Sequence, residues 1–374
     1  MGTVTPSTAI RQQNLGAVLG ALRAARPASR AELAARTQLS KPTVAAALRT
    51  FEEVGLVREY GRTTGRRGPT AALYDLVPDA VLVLGIDIGA HYVRSLLADL
   101  EGRPLEQETI ALEHARLTDV LEAVRRIRAT IGSYAQRIEV AVVGSPGIVD
   151  PLSGRIGAAP NIAGWEGIVA ATALRDALGL AVRVENDVNL AALGEQADGA
   201  GKGVDSFVYL NVGSGLGAGI VLHGQLHRGA RGAAGEVGFL PVGDDPFGAA
   251  GGVHAGAMES SLSSRGLIDV AERLAPTTDT SVPAPFDVRA LFDAARAGDE
   301  LGRAVVKHAA REIAVCVAGV MSVVDVELVL LGGGIGASAE LLIPDVRRSV
   351  AQLLPAPPRV ERATLAERGV LAGE

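Results

Sequence analysis

The sequence offers a single cysteine, Cys316, among 374 residues. One thiol can close no internal disulfide and assemble no thiolate metal cluster. Its neighbours Ile313, Val315, Val317 and Val320 form an apolar helical pattern, so Cys316 is expected in a packed core. Long apolar runs are missing too: none reaches the roughly 18–20 residues that a membrane helix needs, and the first 20 residues show no cleavable signal pattern. A cytoplasmic protein without a membrane partner is expected. Disorder is excluded as well, because 48% hydrophobic residues over this length support two or three domains with a sizeable core.

Charge is unevenly spread. Residues 1–77 hold 11 Lys+Arg against 5 Asp+Glu, whereas residues 78–374 hold 25 against 37. A basic front end and an acidic body are expected to meet different partners, nucleic acid being the candidate for the first. A solvated basic face is the bland alternative.

The front end reads as three helices and a hairpin. After a loose tail, Met1–Thr8, an Ala/Leu-rich helix is expected from about Gln12 to Ala25. "SRAELAART" supplies Ser29 as a cap with Glu32 three residues on. A third helix opens at Ser40 or Lys41 with Pro42 in its first turn, buries Val44, Leu48 and Phe51, and ends at Gly55. Leu56–Tyr60 and Ala71–Leu76 then flank "GRTTGRRGPT", a turn carrying Arg62, Arg66 and Arg67. This order is that of a winged helix-turn-helix, in which the third helix enters the major groove and the basic wing follows phosphate or the minor groove. Ser40, Lys41, Thr43, Ala46 and Arg49 fall on or near the reading face, with Arg62, Arg66 and Arg67 on the wing. A helical protein-interaction module is the competing reading; a glycine-rich cationic tip favours DNA.

From Ala80 the texture becomes that of an α/β domain. Strands are expected at 80–88, 92–99, 138–144, 181–185, 206–212, 217–223 and 327–331, and helices near 117–135, 167–178, 188–196, 259–273, 286–297, 300–322 and 337–354. A Pro/Thr-rich loop covers 275–287. "DIGAHYVRSLLADLEGRPL" is echoed about 125 residues later by "NVGSGLGAGIVLHGQLHRG", each a strand, a glycine turn and a second strand ending in a Gly-centred hairpin. Two such halves could face each other across a cleft. Several loops carry chemistry: "GSPGIVD" (144–150), "APNIAGWEG" (159–167), "VENDVNLAALGE" (184–195), "GARGAAGEVGF" (229–239) and "VELVLLGGGIG" (326–336).

These motifs, in this order, resemble those of the ROK family (repressors, open reading frames and sugar kinases). With the amino-terminal module, the resemblance is to its transcriptional-regulator branch, over roughly Gln12 to Leu371. It implies a two-lobed actin-like (ribonuclease H-like, sugar-kinase) fold behind the winged helix-turn-helix. The expected division is 1–77, a first lobe 80–195 and a second lobe 196–374, from which the C-terminal helix can return to the first lobe. In the kinases an aspartate at the position of Asp187 takes the proton from the attacking sugar hydroxyl, and Asn161, Asn186, Glu236 and Glu259 hold sugar. A carboxylate within reach of a hydroxyl can activate it, but it is also a good sugar ligand. Asp87, Gly89, Gly213, Gly215 and Gly333 match nucleotide-binding positions.

Two departures stand out. Family kinases follow the first strand with Asp-X-Gly-Gly-Thr-Lys, where small residues and a cation meet phosphate; here Ala90, His91 and Tyr92 stand instead. Zinc is not expected either, because Phe239 occupies the usual histidine position and Ala250, Gly252 and Ala257 the cysteine positions, with His254 read as a surface residue. The reading is therefore a DNA-binding regulator, more a repressor than an activator. It senses a sugar in a degenerate kinase cleft, works without zinc and with ATP and Mg doubtful, and forms a homodimer or homotetramer on a double-stranded operator. A sugar kinase with an appended DNA-binding domain and a constitutive regulator with a vestigial cleft are the rivals.

Overall fold

The computed structural model describes residues 6–62, 70–242, 256–365 and 369–373. They fall into two compact units, one of residues 1–83, 98–105 and 136–139, the other of residues 84–97, 106–135 and 140–374.

The first unit begins with α1 (Pro6–Ala24), β1 (Ala28–Ser29), α2 (Arg30–Thr37), α3 (Lys41–Glu53), β2 (Val57–Arg62) and β3 (Ala72–Leu76). The first helix starts earlier than its sequence suggests, because Pro6 is at home in a first turn, where its missing N–H is not needed. Ser29 and Glu32 form the anticipated capping box: Ser29 Oγ accepts from Glu32 N (3.3 Å) and the Glu32 carboxylate from Ser29 N (2.8 Å). Ser40 caps α3 by accepting from Thr43 N (3.3 Å). Val44, Leu48 and Phe51 then pack with Val18, Leu22, Leu33, Tyr74 and Leu76 in one core. The sheet order is β1-β3-β2; β1, only two residues long, leaves no periodic trace in the sequence. Arg26 pairs with Glu101 (2.5 Å) and Asp75 (3.7 Å) inside this unit.

The second unit is built on two five-stranded sheets. The first contains β4 (Leu82–Ile88), β5 (Tyr92–Asp99), β6 (Pro104–Ala111), β7 (Ile138–Ser145) and β10 (Val182–Asn186), with α4 (Leu117–Thr130), the two-residue strands β8 (Ile148–Val149) and β9 (Ile156–Gly157), and α5 (Ala170–Leu178) between them. Then α6 (Asp187–Asp198) leads to β11 (Phe207–Val212), β12 (Leu216–Leu222) and β13 (Gln225–Leu226). Further on come α7 (Ala257–Leu262), α8 (Ser264–Leu274), α9 (Val288–Ala297), α10 (Glu300–Met321), β14 (Leu328–Gly332), α11 (Gly333–Gly336), α12 (Ala339–Leu353), β15 (Arg359–Arg362) and α13 (Gly369–Ala372).

The orders are β10-β7-β4-β5-β6 and β13-β12-β11-β14-β15. In each sheet the first strand lies centrally, its two following strands to one side and two later strands to the other. This is the structural form of the sequence echo. The single helix expected over 259–273 is two, broken at Ser263, whose extended backbone and hydroxyl cap α8 through Gly266 N (3.3 Å). The longest helix among the described residues, α10, buries Ile313, Val317 and Cys316 in the core of the second sheet, and burial pushes the Cys316 thiol up to about 12.

Candidate functional site

A cleft of about 1210 Å³ opens in the second unit, and residues from both sheets and from α6 line it. Asn161, Asn186, Asp187, Glu236 and Glu259 all face it. Asn161 is exposed on a loop held by the buried side chains of Ile162 and Trp165. The Trp165 indole donates to Ser145 Oγ (2.8 Å), and backbone bonds Ala163 N to Ala115 O (2.7 Å) and Leu117 N to Ala163 O (2.9 Å) fix the other side. Ile162 and Trp165 thus anchor the loop just after its polar residue, Asn161.

Asn186 and Asp187 meet at the junction of β10 and α6. The Asn186 amide is already employed: its oxygen caps α6 through Asn189 N (3.0 Å), and its nitrogen donates to Gly147 O (3.1 Å). A sugar contact would have to use what remains of that amide. Asp187 follows in the first turn, with Val188 N donating to its Oδ1 (2.9 Å). Glu236 leaves a tight loop in which Gly235 takes φ +92 and a Cβ would sit 1.8 Å from Ala218 O, so only glycine fits. Glu259 lies on α7 and accepts the Leu216 N–H.

These carboxylates share one electrostatic environment. Burial, reinforced by the charge of Asp87, pushes Asp187 up to about 7. Burial and then the neighbouring charge of Glu259 bring Glu236 to about 7. Burial also raises Glu259, against the lowering effect of the Leu216 N–H. Around neutral pH such groups supply both hydrogen-bond donors and acceptors, a set suited to hydroxyls. A carboxyl poised near 7 is also a competent general base.

The turn after β4 is closed by Gly89 N to Tyr92 O (2.9 Å). The Tyr92 ring folds back over it: a Cβ on Gly89 would lie 3.0 Å from Tyr92 Cζ. Arg94 stacks 3.8 Å above the centre of the same ring and places Nη1 4.0 Å from Asp87 Oδ2. A cation is therefore present beside this turn, contrary to the expectation from Ala90, His91 and Tyr92 alone. Strand alternation puts Tyr92 and Arg94 on one face, and that signal was available in the sequence.

The counterpart turn after β11 stays small. Gly213 N donates to Gly215 O (3.0 Å), and Ser264 N (2.9 Å) and Oγ (3.1 Å) both donate to Gly213 O. A Cβ on Gly213 would be 3.5 Å from Gly334 N, so this turn faces the glycine turn after β14. There Gly333 takes φ +80 and donates its N–H to the buried Tyr209 hydroxyl, whose pKa burial raises. Phe292, Arg289 and Ser338 complete that end of the cleft.

Phe239 is 44% exposed and lines the cleft. Ala257 begins α7, while Ala250, Gly252 and His254 lie outside the described residues. Among the described residues, no three His, Cys, Asp or Glu side chains converge as metal ligands would.

In the first unit, Lys41, Ala46 and Arg49 are exposed along α3, and Thr43 is half-buried with its hydroxyl 2.8 Å from Ser40 Oγ. Ser40 is exposed but engaged in its cap. Arg62 ends β2 with its side chain 69% exposed, 3.9 Å from Glu59. Arg66 and Arg67 lie outside the described residues.

Residues 83–372 match the ROK family model. The chain belongs to the ROK family. Residues 13–60 match the IclR helix-turn-helix domain. A xylose repressor of Caldicellulosiruptor bescii is 27% identical over 369 residues, which cover 92% of this chain and 89% of that protein. A glucokinase of Thermotoga maritima is 30% identical over 73% of this chain and 88% of its own length. The crystal structure of a ROK family transcriptional regulator, a homolog of the E. coli MLC protein, superimposes with a TM-score of 0.85 over 97% of this chain and 94% of that one, at 24% identity. The fold is thus a helix-turn-helix unit joined to the two-lobed actin-like architecture of sugar kinases.

Proposed function

We propose that this ROK protein is a sequence-specific DNA-binding repressor of carbohydrate genes whose cleft receives a sugar or sugar derivative. The observation that carries the reading is the pairing of a sugar-suited carboxylate set, Asp187, Glu236 and Glu259, with a phosphate turn covered by its own Tyr92 ring. Likeness over most of its length to a xylose repressor supports the DNA-binding half. With the Tyr92 ring over the first phosphate turn no transfer step is assigned, and neither zinc nor ATP is part of this reading. Two copies on a two-fold operator, in a homodimer or homotetramer, would bring two reading helices to successive major grooves. Such a regulator acts in the cytoplasm.

The test is selection of genomic fragments by the full-length chain, followed by titration of the recovered duplex across a salt series. Lys41→Glu and Arg49→Glu should each weaken binding about tenfold or more, and each lost phosphate contact should flatten the log-log salt slope by about 0.9. Unchanged affinity in both variants removes α3 from the interface. A panel of free and phosphorylated pentoses and hexoses should include a compound that releases the duplex; constant affinity across the panel ends the sensing half of the proposal.

One observation favours a second reading, a sugar kinase carrying a DNA-binding unit: Asp187, at about 7, is well poised to accept a hydroxyl proton. Turnover in a coupled ATPase assay with hexoses, abolished by Asp187→Asn, would establish it.

A further inference from the structure

The chain crosses between the two five-stranded sheets twice. It first passes through α6 and residues 199–206 to β11; later, residues 363–365 leave β15 and α13 lies at the first sheet. That return reaches the first sheet: a Cβ on Gly144 of β7 would meet Val370 Cγ1 at 2.7 Å. In the first crossing, α6 also rests on the second sheet. A Cβ on Gly219 of β12 would sit 2.5 Å from Ala192 Cβ, and one on Gly217 would sit 3.1 Å from Val188 Cγ2.

Glu195, near the C-terminal end of α6, has no exposed surface. Its Oε2 accepts from Ala200 N (2.8 Å) in the first crossing and from Thr364 Oγ1 (3.1 Å) in the second. Its Oε1 accepts from Leu365 N (2.7 Å), also in the second. Its own carbonyl takes Gly199 N (3.1 Å) and Gly201 N (3.0 Å). A Cβ on Gly199 would lie 2.1 Å from Glu195 Oε2, so a side chain at 199 would displace the carboxylate. A buried carboxylate is costly unless donors surround it, and here neutral donors from both crossings do so.

We propose that Glu195 is the clasp of the hinge between the lobes, a positioning residue that joins both crossings at one point. Asp187 starts the helix that Glu195 nearly ends, so the clasp fixes the helix whose far end presents Asp187 to Glu236 and Glu259 on the second lobe. Closure then turns about one place instead of shearing along two. The role holds whether the cleft transfers phosphate or only receives sugar, so its test stands apart from the DNA-binding reading.

The experiment uses the full-length chain and needs no ligand. Hydrogen exchange is followed in peptides spanning 199–206 and 363–371, in the native protein and in Glu195→Gln and Thr364→Val. Separation of the lobes is read by fluorophore pairs on Leu152→Cys and Val323→Cys, both 87% or more exposed in the native residue, with Cys316 buried and unreactive. Glu195→Gln should speed exchange in both crossings about tenfold or more and broaden the distance distribution, while β11 and β14 keep their protection. Thr364→Val, which deletes one donor, should give a smaller change of the same kind and carries the test should Glu195→Gln not fold. Thr364→Ser, which keeps the hydroxyl, should behave as the native chain. Loss of protection in one crossing only, equal loss in all strands, or an unchanged distance distribution overturns the proposal.

Discussion

The two sheets present the same hairpin to the same cleft and treat it in opposite ways. After β11 the turn is Gly213-Ser214-Gly215, where a Cβ on Gly213 would meet Gly334 N at 3.5 Å and one on Gly215 would meet Glu259 Oε1 at 3.9 Å, both ordinary contact distances. After β4 the equivalent turn runs through Gly89 to Tyr92, and the Tyr92 ring lies over the glycine with Arg94 stacked on its other face. Identical topology thus leaves one turn free to approach a ligand and fills the other from within. The carboxylate end of the cleft, by contrast, keeps Asn161, Asn186, Asp187, Glu236 and Glu259 together along its wall. Different elements build the two ends: β4 and β5 carry the altered turn, while β10, α6 and α7 carry Asn186, Asp187 and Glu259.

The largest effect should come from the end that is kept. Asp187→Asn removes a charged partner for a hydroxyl, so calorimetric affinity for whichever pentose or hexose binds should fall about 10- to 100-fold, the range for losing hydrogen bonds to a charged group. A variant that binds as the native chain does would mean that the carboxylates are structural and that the two ends differ less than proposed. Next is Tyr92→Gly, which clears the altered turn. Affinity for a non-hydrolysable ATP analogue should rise about tenfold, or roughly 1.4 kcal/mol. Native protein that already binds the analogue as tightly as the variant would remove the contrast between the turns.

The kept end should also cost stability in a pH-dependent way. Asp187 and Glu236 hold their protons in the folded chain up to about 7, whereas unfolded carboxyls release them near 4. The folded state binds more protons across that interval, so this contribution falls as pH rises from about 4 through about 7 and stays low above it. Removing the carboxylate removes the decline. Asp187→Asn should therefore stabilise the chain by on the order of 1 kcal/mol at about pH 8 and much less at about pH 5, as read from thermal melts. Equal shifts at both values would show that Asp187 titrates like an exposed carboxyl.

Much of this was legible in the residues. Val44, Leu48 and Phe51 give the reading helix its buried face, and the 125-residue echo carries the duplicated sheet order. Asp187 at a strand-to-helix junction marks the cleft. Other features follow weaker or longer-range signals. β6 escapes a periodicity search because Ile110 is the buried residue in "PLEQETIA" and its neighbours face outward. Arg94 lies outside the consecutive motif positions 90–92, and it is the two-residue alternation of β5 that places it beside Tyr92. The second role of Asn186, capping α6, is invisible when the residue is read only as a ligand. The Glu195 clasp depends on donors 169 and 170 residues away, which no local pattern announces.

The smallest and most direct test compares the two turns by one methyl group. Gly213→Ala places its Cβ at ordinary contact distance, 3.5 Å from Gly334 N, and should change stability by no more than about 0.5 kcal/mol. Gly89→Ala places its Cβ 3.0 Å from Tyr92 Cζ, so the ring, and Arg94 on it, must shift. A cost of about 1 kcal/mol is expected there. In a double-mutant cycle, Tyr92→Ala should relieve most of that cost, giving a coupling of at least about 0.5 kcal/mol, whereas the same Tyr92→Ala should be additive with Gly213→Ala. Equal costs at both glycines, or no coupling at the first, would show that the ring does not fill the turn, and the difference between the hairpins would reduce to sequence alone.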